Sequence, residues 1–544
     1  MNAKQLHEQA EDLFSKRSSL LLLWQEIAEN FYPERADFTF KRYLGMDYAA
    51  NLMTSFPPLC RRDLGDQLGS MLRPTNKQWH HITTKNQRRE DHEAKLWLEM
   101  ADTTMRRAMY DPEAQFTRAT KEGDHDFASF GQAAISVELN REANALLYRC
   151  WHLRDVCWME NQDGKLCFIA RKWKPGCRDL SRIFPGKLDK KIIDDVDKHP
   201  FKEVEVMHLV VDAEMYDDKA RDKPYWSIFY DCQNDKVIEA TAVYSRIYVI
   251  ARWQSVSGSQ YAFSPATVIA LPEARLLQAM TLTLLEAGEK AVNPPVIATT
   301  NVVKSDIELF AGGRTWVDEL YDERLGEALR PLTQDLRGIP LSQEMRADTR
   351  GILQACFYLN KLRPFTPTTD PQMTAFQAGQ IVADYIRQAL PLFEPMEMEY
   401  NGGLCKETFD VLKRGGAFGS PFDMPRILQG AEIQFQFESP LHDAIKAQKG
   451  HKLLEGAQLI AQAMALDKGV ANLPNATVAL RDALDGISWP TKWTRSEAEV
   501  DELGRAQQAE AEAQRALAAM EQGATIAKDL GAAQASAGTA PLLG

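Results

Sequence analysis

The sequence is poor in the features that mark secreted proteins, membrane spans and common enzymes. Cysteine is scarce, with eight in 544 residues, too few in so long a chain for a disulfide framework. Cys157, Cys167 and Cys177 are evenly spaced, with Cys150 and His152 nearby. No C-x-x-C pair accompanies them, so they read as free thiols packed in strands rather than zinc ligands. A long apolar run is missing near the start. The densest one near the start, SSLLLLWQEIAENF, is far short of a bilayer span, and MNAKQLHEQAEDLF lacks the basic start and apolar core of a secretory leader. These two absences lead to the expectation of a protein made and kept in a cytosol, with no membrane partner. There is no basic excess: 64 Lys and Arg against 76 Asp and Glu give a net charge of −12. Contact with nucleic acid would have to come from local patches or be weak.

Common catalytic signatures are also absent. There is no G-x-x-x-x-G-K-[ST], no G-x-S-x-G and no H-E-x-x-H. The glycine-rich KRGGAFGS at 413–420 follows a helical pattern rather than a strand, and reads as a helix C-terminus and turn. His80-His81 reads as a surface or packing pair. The carboxylates of DIELFAGGRTWVDELYDERLGE lack the histidines or spacing of a two-metal site and read as a solvated acidic face. No catalytic residue, metal or cofactor is assigned.

What is present is an ordinary globular composition, 44% apolar and 26% charged, with a clear succession of patterns. The first 110 residues read as helices: one through AEDLFSKRSSLLLLWQEIAENF ending before Pro33, one from Pro57–Pro58 to Pro74, and one in REDHEAKLWLEMADTTMRRAMY with Leu96, Met100 and Thr103 on one side. A fourth lies in PEAQFTRATKEGDHDFASFG. Alternation then takes over from Ala133 to Trp253, an antiparallel sheet region whose strands include AAISVELN, ALLYRCWHL, DVCWMEN, LCFIARKWK, EVEVMHLVV, YWSIFYD and AVYSRIYVIARW. The Asp-Gly of QDGK marks a hairpin. Basic-acidic SRIFPGKLDKKIIDDVDKHP interrupts them as a short helix with turns.

Ser264 then caps a long helix with Pro265 at its first position. Its apolar residues from Leu276 onward cover most of the circumference, so it must be buried on several sides. It stops at Pro294–Pro295. Short strands with a Gly312–Gly313 turn follow, then a second long helix, SQEMRADTRGILQACFYLNKL, ending at Pro364. Two helices flanking a compact insertion make an antiparallel stalk. RPFTPTTDPQ can be neither helix nor central strand. MTAFQAGQIVADYIRQALPLFEPMEMEYNGGLCKETFDVLKRGGAF reads as two helices. AEIQFQFESP, with Ile433, Phe435 and Phe437 alternating, reads as a last strand returning to the earlier sheet. Beyond Pro440 the chain is Ala-rich and helical, and its final GAAQASAGTAPLLG is expected to be disordered.

Several phrases in this order carry a resemblance: LFSKRSSLLLLWQEIAENFYPERADF, LGSMLRPTNKQWHHI, ARWQSVSGSQYAFSPA, KAVNPPV, FAGGRTW, MTAFQAGQIVADYIRQALPLF and FESPLHDAIKAQ. Layout and phrases together resemble the portal, or head-to-tail connecting, protein of T7-like short-tailed bacteriophages over nearly the whole chain. Ala262 departs from the glycine usual after the tyrosine, and Phe376-Gln377 from a polar-acidic pair.

The resemblance implies an α+β portal fold assembled as a ring, normally of twelve copies, with an α/β wing (1–264), a stem helix (265–293), a small α/β clip (294–340), a second stem helix (341–363), a channel loop (364–371), a channel helix returning to the wing (372–439), a helical crown (440–530) and a disordered tail (531–544). It implies a virion protein at one capsid vertex, assembled in the host cytoplasm, through which double-stranded DNA is packaged and ejected by weak, sequence-independent contact. Its implied partners are the terminase (the packaging ATPase) at the clip, tail adaptor proteins, and capsid and scaffolding proteins. Lys361 and Arg363 border the channel loop and are candidates to face DNA; the alternative is that they cap a helix C-terminus. Thr366, Thr368 and Thr369 would touch DNA without charge or serve as turn residues. Leu277, Met280, Leu284 and Ala287 are candidates for subunit packing in the stem, and Pro294 and Pro295 for the stem–clip hinge. Two other classes fit less well: a DNA-processing enzyme with a degenerate metal site, and a homo-oligomeric scaffold unrelated to DNA.

Overall fold

The computed structural model describes residues 1–43, 45–75, 77–85, 91–216, 223–292, 294–298, separate positions between 303 and 331, 338–361, 394, 396–420, 423–437, separate positions between 456 and 489, and 491–537. It divides into two compact units, the first comprising residues 1–81, 102–419 and 435–445, the second residues 82–101, 420–434 and 446–544. Helix and strand are mixed along the chain, in agreement with an α+β protein.

The first unit opens with α1 (Ala3–Lys16) and α2 (Ser18–Phe31). The sequence pattern predicts one continuous helix here, and Arg17 breaks it. Its buried guanidinium donates to the carbonyls of Leu153, Val156 and Arg154, and reaching them takes its backbone out of helical geometry. α3 (Phe56–Leu72) starts on its prolines as expected. Next come strand β1 (His80–Thr84), α4 (His92–Met109) and α5 (Phe116–Phe130). In α4 the side bearing Leu96, Met100 and Thr103 is exposed, and Ala94, Trp97, Leu98, Ala101 and Met105 are buried instead. His80 and His81 share the carboxylate of Asp102, at 3.2 and 3.1 Å, which makes them the packing pair.

The expected sheet region holds two sheets. One has the order β3-β2-β9, built from β2 (Gln132–Leu139), β3 (Leu146–Trp151) and β9 (Tyr248–Arg252). The other is an antiparallel meander of β4 (Val156–Glu160), β5 (Leu166–Trp173), β6 (Val206–Asp212), β7 (Tyr225–Asp231) and β8 (Lys236–Val243). The β4–β5 hairpin falls at QDGK as predicted. AVYSRIYVIARW is not one strand: the chain leaves β8 after Val243 and enters β9 at Tyr248, changing sheets between them. Of the evenly spaced cysteines, Cys157 and Cys167 lie in strands, whereas Cys177 begins the short helix α6 (Cys177–Ile183), which α7 (Lys190–Lys198) follows.

Burial explains why these strands read as they do. Leu6, Ala10 and Leu13 of α1 pack on Phe168, Met207, Leu209 and Ile228 of the meander. Leu180, Phe184 and Ile192 of α6 and α7 pack with Val206 and Ile238. With both faces covered, β6 is a continuous apolar run rather than an alternating one. Its one polar interruption, His208, bonds to the Tyr248 hydroxyl (2.6 Å) and to Ser227 Oγ (2.8 Å), while Arg171 Nε donates to the same tyrosine (2.6 Å). Burial, then the Arg171 charge, holds His208 neutral by pushing its pKa well down.

The remaining elements of this unit are the ribbon of β10 (Gln254–Ser255) and β11 (Ala262–Phe263), helix α8 (Pro265–Val292), the pair β12 (Val296–Ala298) and β13 (Leu329–Pro331), α9 (Gly338–Cys356) and α10 (Gly402–Arg414). α10 ends at the glycine turn predicted for KRGGAFGS. β14 (Ile433–Phe437) pairs with β1 rather than rejoining either larger sheet. In the second unit α11 (Glu497–Ala537) is helical seven residues past 530, so the proposed disordered tail is helix at least to Ala537. The Gly312–Gly313 turn, most of 362–395 and much of the crown fall outside the described residues.

Candidate functional site

The candidate site is the helix pair α8–α9 with the segments that anchor it. At its base, Ser264 Oγ accepts from Thr267 N (3.3 Å) and donates to Ala128 O (2.7 Å), and Thr267 Oγ1 donates to Ser129 O (2.6 Å). The predicted N-cap therefore also fastens α8 to the end of α5. Gly131 makes that approach possible: its φ is 73°, and an added Cβ would lie 2.1 Å from Phe263 C. Ala262, where the resemblance expected glycine, sits in extended strand β11 opposite Ser255, a conformation open to any residue. α8 runs unbroken through Pro272.

Leu277 of α8 is fully buried within the chain, and Met280, Leu284 and Ala287 are half-buried. They share a stripe with Ala270, Ala274 and Thr281. Because α8 begins and α9 ends against the same helical base (Ser264 at Ala128, and the Phe357 ring tilted against Phe31 with centroids 5.3 Å apart), the two helices run antiparallel. Elsewhere on α8, Ile269, Leu276, Leu282 and Leu285 are exposed. Pro294 and Pro295 link its end to β12.

α9 stops at Cys356, earlier than the sequence pattern suggested. Tyr358 takes φ 56°, and Leu359 N donates to Gln354 O at 3.0 Å, the αL stop usually given to glycine. Lys361 lies five positions past the last helical residue, Cys356, so it is no longer a last-turn partner of the macrodipole, whose effect fades within that turn. Lys361 is exposed, with Nζ 5.8 Å from the Tyr358 ring centroid, and that ring lies 6.3 Å from Trp253. Arg363, Thr366, Thr368 and Thr369 lie outside the described residues.

The chain returns through a π turn, Met396–Asn401, into α10. This anchor escaped the sequence reading. Arg73, at the end of α3, forms a buried ion pair with Asp124 of α5, donates to Asn401 Oδ1 (2.7 Å), and lies 4.8 Å from the centroid of the Tyr400 ring. Tyr400 OH donates to Thr120 O at 3.2 Å. Burial pulls the guanidinium pKa down, and the Asp124 carboxylate more than reverses this. Arg252 holds both Glu160 and Glu399. Two glycines permit the close packing: a Cβ on Gly123 would strike Tyr400 OH at 2.4 Å and one on Gly403 would strike Val249 at 2.6 Å. The one sequence signal was a pair of aspartates, Asp124 and Asp126, inside a helix with an apolar face. Among the described residues no group of three His, Cys, Asp or Glu is placed to hold a metal ion. The geometry is thus that of an anchored stalk with an open apolar side.

Comparison with known proteins gives this arrangement a class. Residues 3–494 match the family described as bacteriophage head to tail connecting protein, and the chain belongs to that family. It is 22% identical over 444 residues to the probable portal protein of Bordetella phage BPP-1, covering 80% of this chain and 78% of that one. It is 21% identical over 252 residues to the portal protein of Salmonella phage epsilon15, covering 45% of this chain and 44% of that one.

Proposed function

We propose that the chain is the portal subunit of a bacteriophage, a structural protein of the virion at the capsid vertex. Copies form a ring, of twelve by the family's habit, through whose bore the double-stranded genome is packaged and ejected. The family match over residues 3–494 carries this reading. Two physical points support it. The stalk is apolar on the side its own chain leaves open, as a helix packed between copies requires. The net charge of −12 suits a bore that must not grip DNA, since each phosphate neutralised adds salt-dependent affinity that would stall sliding.

Lys361 is the described candidate for weak DNA contact, and Arg363, Thr366, Thr368 and Thr369 are candidates from the sequence alone. Half-buried Met280, Leu284 and Ala287, beside Leu277, would be completed by a neighbouring copy, and Pro294–Pro295 would set the angle between stem and clip. The terminase would dock on the clip and be replaced by tail adaptors, while capsid and scaffolding proteins would surround the ring during assembly in the host cytoplasm. Electron-microscope class averages of the purified full chain test the proposal: rings with a central channel are expected, and a monomeric particle at every concentration overturns it.

A further inference from the structure

The crossing from the meander to the three-stranded sheet is strained. Tyr248 N donates to Arg246 O at 2.7 Å, closing a three-residue γ-turn around Ile247, and Ile247 takes φ 67°. That is the rare, strained form of the turn, and a β-branched residue at its centre is an outlier. Such a conformation persists only where its surroundings over-determine it. Three pins do so here. Val137 N of β2 donates to Ile247 O at 2.8 Å, the Tyr248 hydroxyl is held by Arg171 and His208, and Arg246 Nε donates to the Tyr225 hydroxyl of β7 at 3.1 Å.

The last pin is the one with an alternative. Arg246 lies between two carboxyl groups, Asp212 of β6 and Glu407 of α10, near enough for its charge to act on both. Among the described residues it is ion-paired with neither. Glu407 is buried, and its Oε2 has no hydrogen-bond partner among the described residues. A carboxylate ionised in that place is costly, and burial, then Asp410, pushes its pKa up to about 7. The other charged and titratable groups around α10 are engaged elsewhere. Glu138 of β2 and Tyr248 of β9 face Arg171, Tyr148 of β3 bonds to Thr408, Glu399 of the π turn holds Arg252, and Glu397 of that turn neighbours Glu394. Lys406, on α10 itself, is exposed. Arg246 is thus the half-buried cation that can turn to Glu407 without abandoning an ion pair.

We propose that residues 246–248 form a strained joint latched by Arg246 on Tyr225, and that ionisation of Glu407 releases it. While Glu407 is protonated, Arg246 stays on β7 and the turn holds. Once Glu407 ionises, Arg246 swings to pair with it, and Ile247 relaxes to an ordinary negative φ. The relaxed form binds the Glu407 proton less tightly, so rising pH favours it. β9 runs on through the β10–β11 ribbon into α8, so release of the joint lets the meander shift against the base of the stalk.

Hydrogen exchange of the full chain between pH 6 and pH 8.5 tests the joint, read as protection factors in peptides covering 244–252. In the parent, protection is expected to fall about fivefold with a midpoint near pH 7, while peptides from α1 stay unchanged. Glu407→Gln is expected to hold the pH 6 protection throughout. Asp410→Asn is expected to move the midpoint to lower pH, since it removes the neighbouring negative charge. Ile247→Gly removes the strain, so the turn is kept, the pH response shrinks, and the protein melts no lower than Ile247→Ala. A parent whose 244–252 peptides show no pH response, or no more than those of α1, overturns the switch without any substitution, so a misfolded variant cannot mask the result. A Glu407→Gln protein that responds like the parent, or an Asp410→Asn midpoint that stays or rises, overturns the part given to Glu407. Ile247→Gly melting below Ile247→Ala overturns the strain.

Discussion

Arg73 and Asp124 offer the sharpest test of how the chain's return past the stalk is secured. Their side chains are 3% and 4% exposed. Arg73→Met would leave a buried carboxylate alone, which costs about 3–5 kcal/mol. It would also remove the bond to Asn401, worth about 1 kcal/mol, and the contact with the Tyr400 ring, worth about 1 kcal/mol when desolvated. Asp124→Asn keeps the shape but strands the guanidinium, again costing about 3–5 kcal/mol. The double variant buries no charge, so its loss should fall below the sum of the single losses by at least about 2 kcal/mol. Pulse proteolysis of the full chain in urea, followed through peptides from residues 396–414, measures this coupling. Hydrogen exchange in the same peptides should rise most in Arg73→Met. Losses that simply add, with coupling under about 0.5 kcal/mol, would refute the view that one buried pair ties α3, α5 and the π turn together.

Three further outcomes follow from the same geometry. Glu407 of α10 is buried, and desolvation, then the neighbouring Asp410, raises its pKa from 4.5 to about 7. Folding therefore favours the protonated acid, a contribution present below pH 4.5 and lost as pH rises through 7. Glu407→Gln should match the parent near pH 4 and exceed it by about 2–3 kcal/mol at pH 8; chemical denaturation at both pH values decides, and equal stability at pH 8 would count against it. Gly131→Ala, with its Cβ 2.3 Å from Ser264 N at φ 73°, should cost about 3 kcal/mol from left-handed strain and overpacking and raise exchange in residues 262–270; an unchanged melting temperature would contradict this. Lys361→Glu should leave assembly intact while changing the salt dependence of DNA association, and identical salt slopes would remove Lys361 from the bore.

Local chemistry was legible in the sequence wherever it acts over a few residues. The proline starts of α3 and α8, the Ser264 cap, the QDGK hairpin and the KRGGAFGS stop all fall where the residues put them. Errors came where a distant partner decides. Arg17 breaks a good helical pattern because three carbonyls more than 130 residues away need a donor. β14 alternates correctly, but alternation does not name its partner, which is β1. The periodicity of α4 identified a side, and burial chose the other one, where Trp97, Leu98 and Met105 lie. The anchor of Arg73, Asp124, Tyr400 and Asn401 joins three stretches separated by 51 and 328 positions, beyond the reach of any local pattern.

Helix α8 carries more apolar surface than its own chain covers. Its apolar residues surround the helix, and that pattern alone demanded burial on several sides. Within the chain only the Ala270, Ala274, Leu277 and Thr281 side is covered; Ile269, Leu276, Leu282 and Leu285 stay between 41% and 63% accessible. The excess is therefore a property of the helix that its own fold leaves unsatisfied. In the proposed ring a neighbouring copy would cover these exposed side chains of α8.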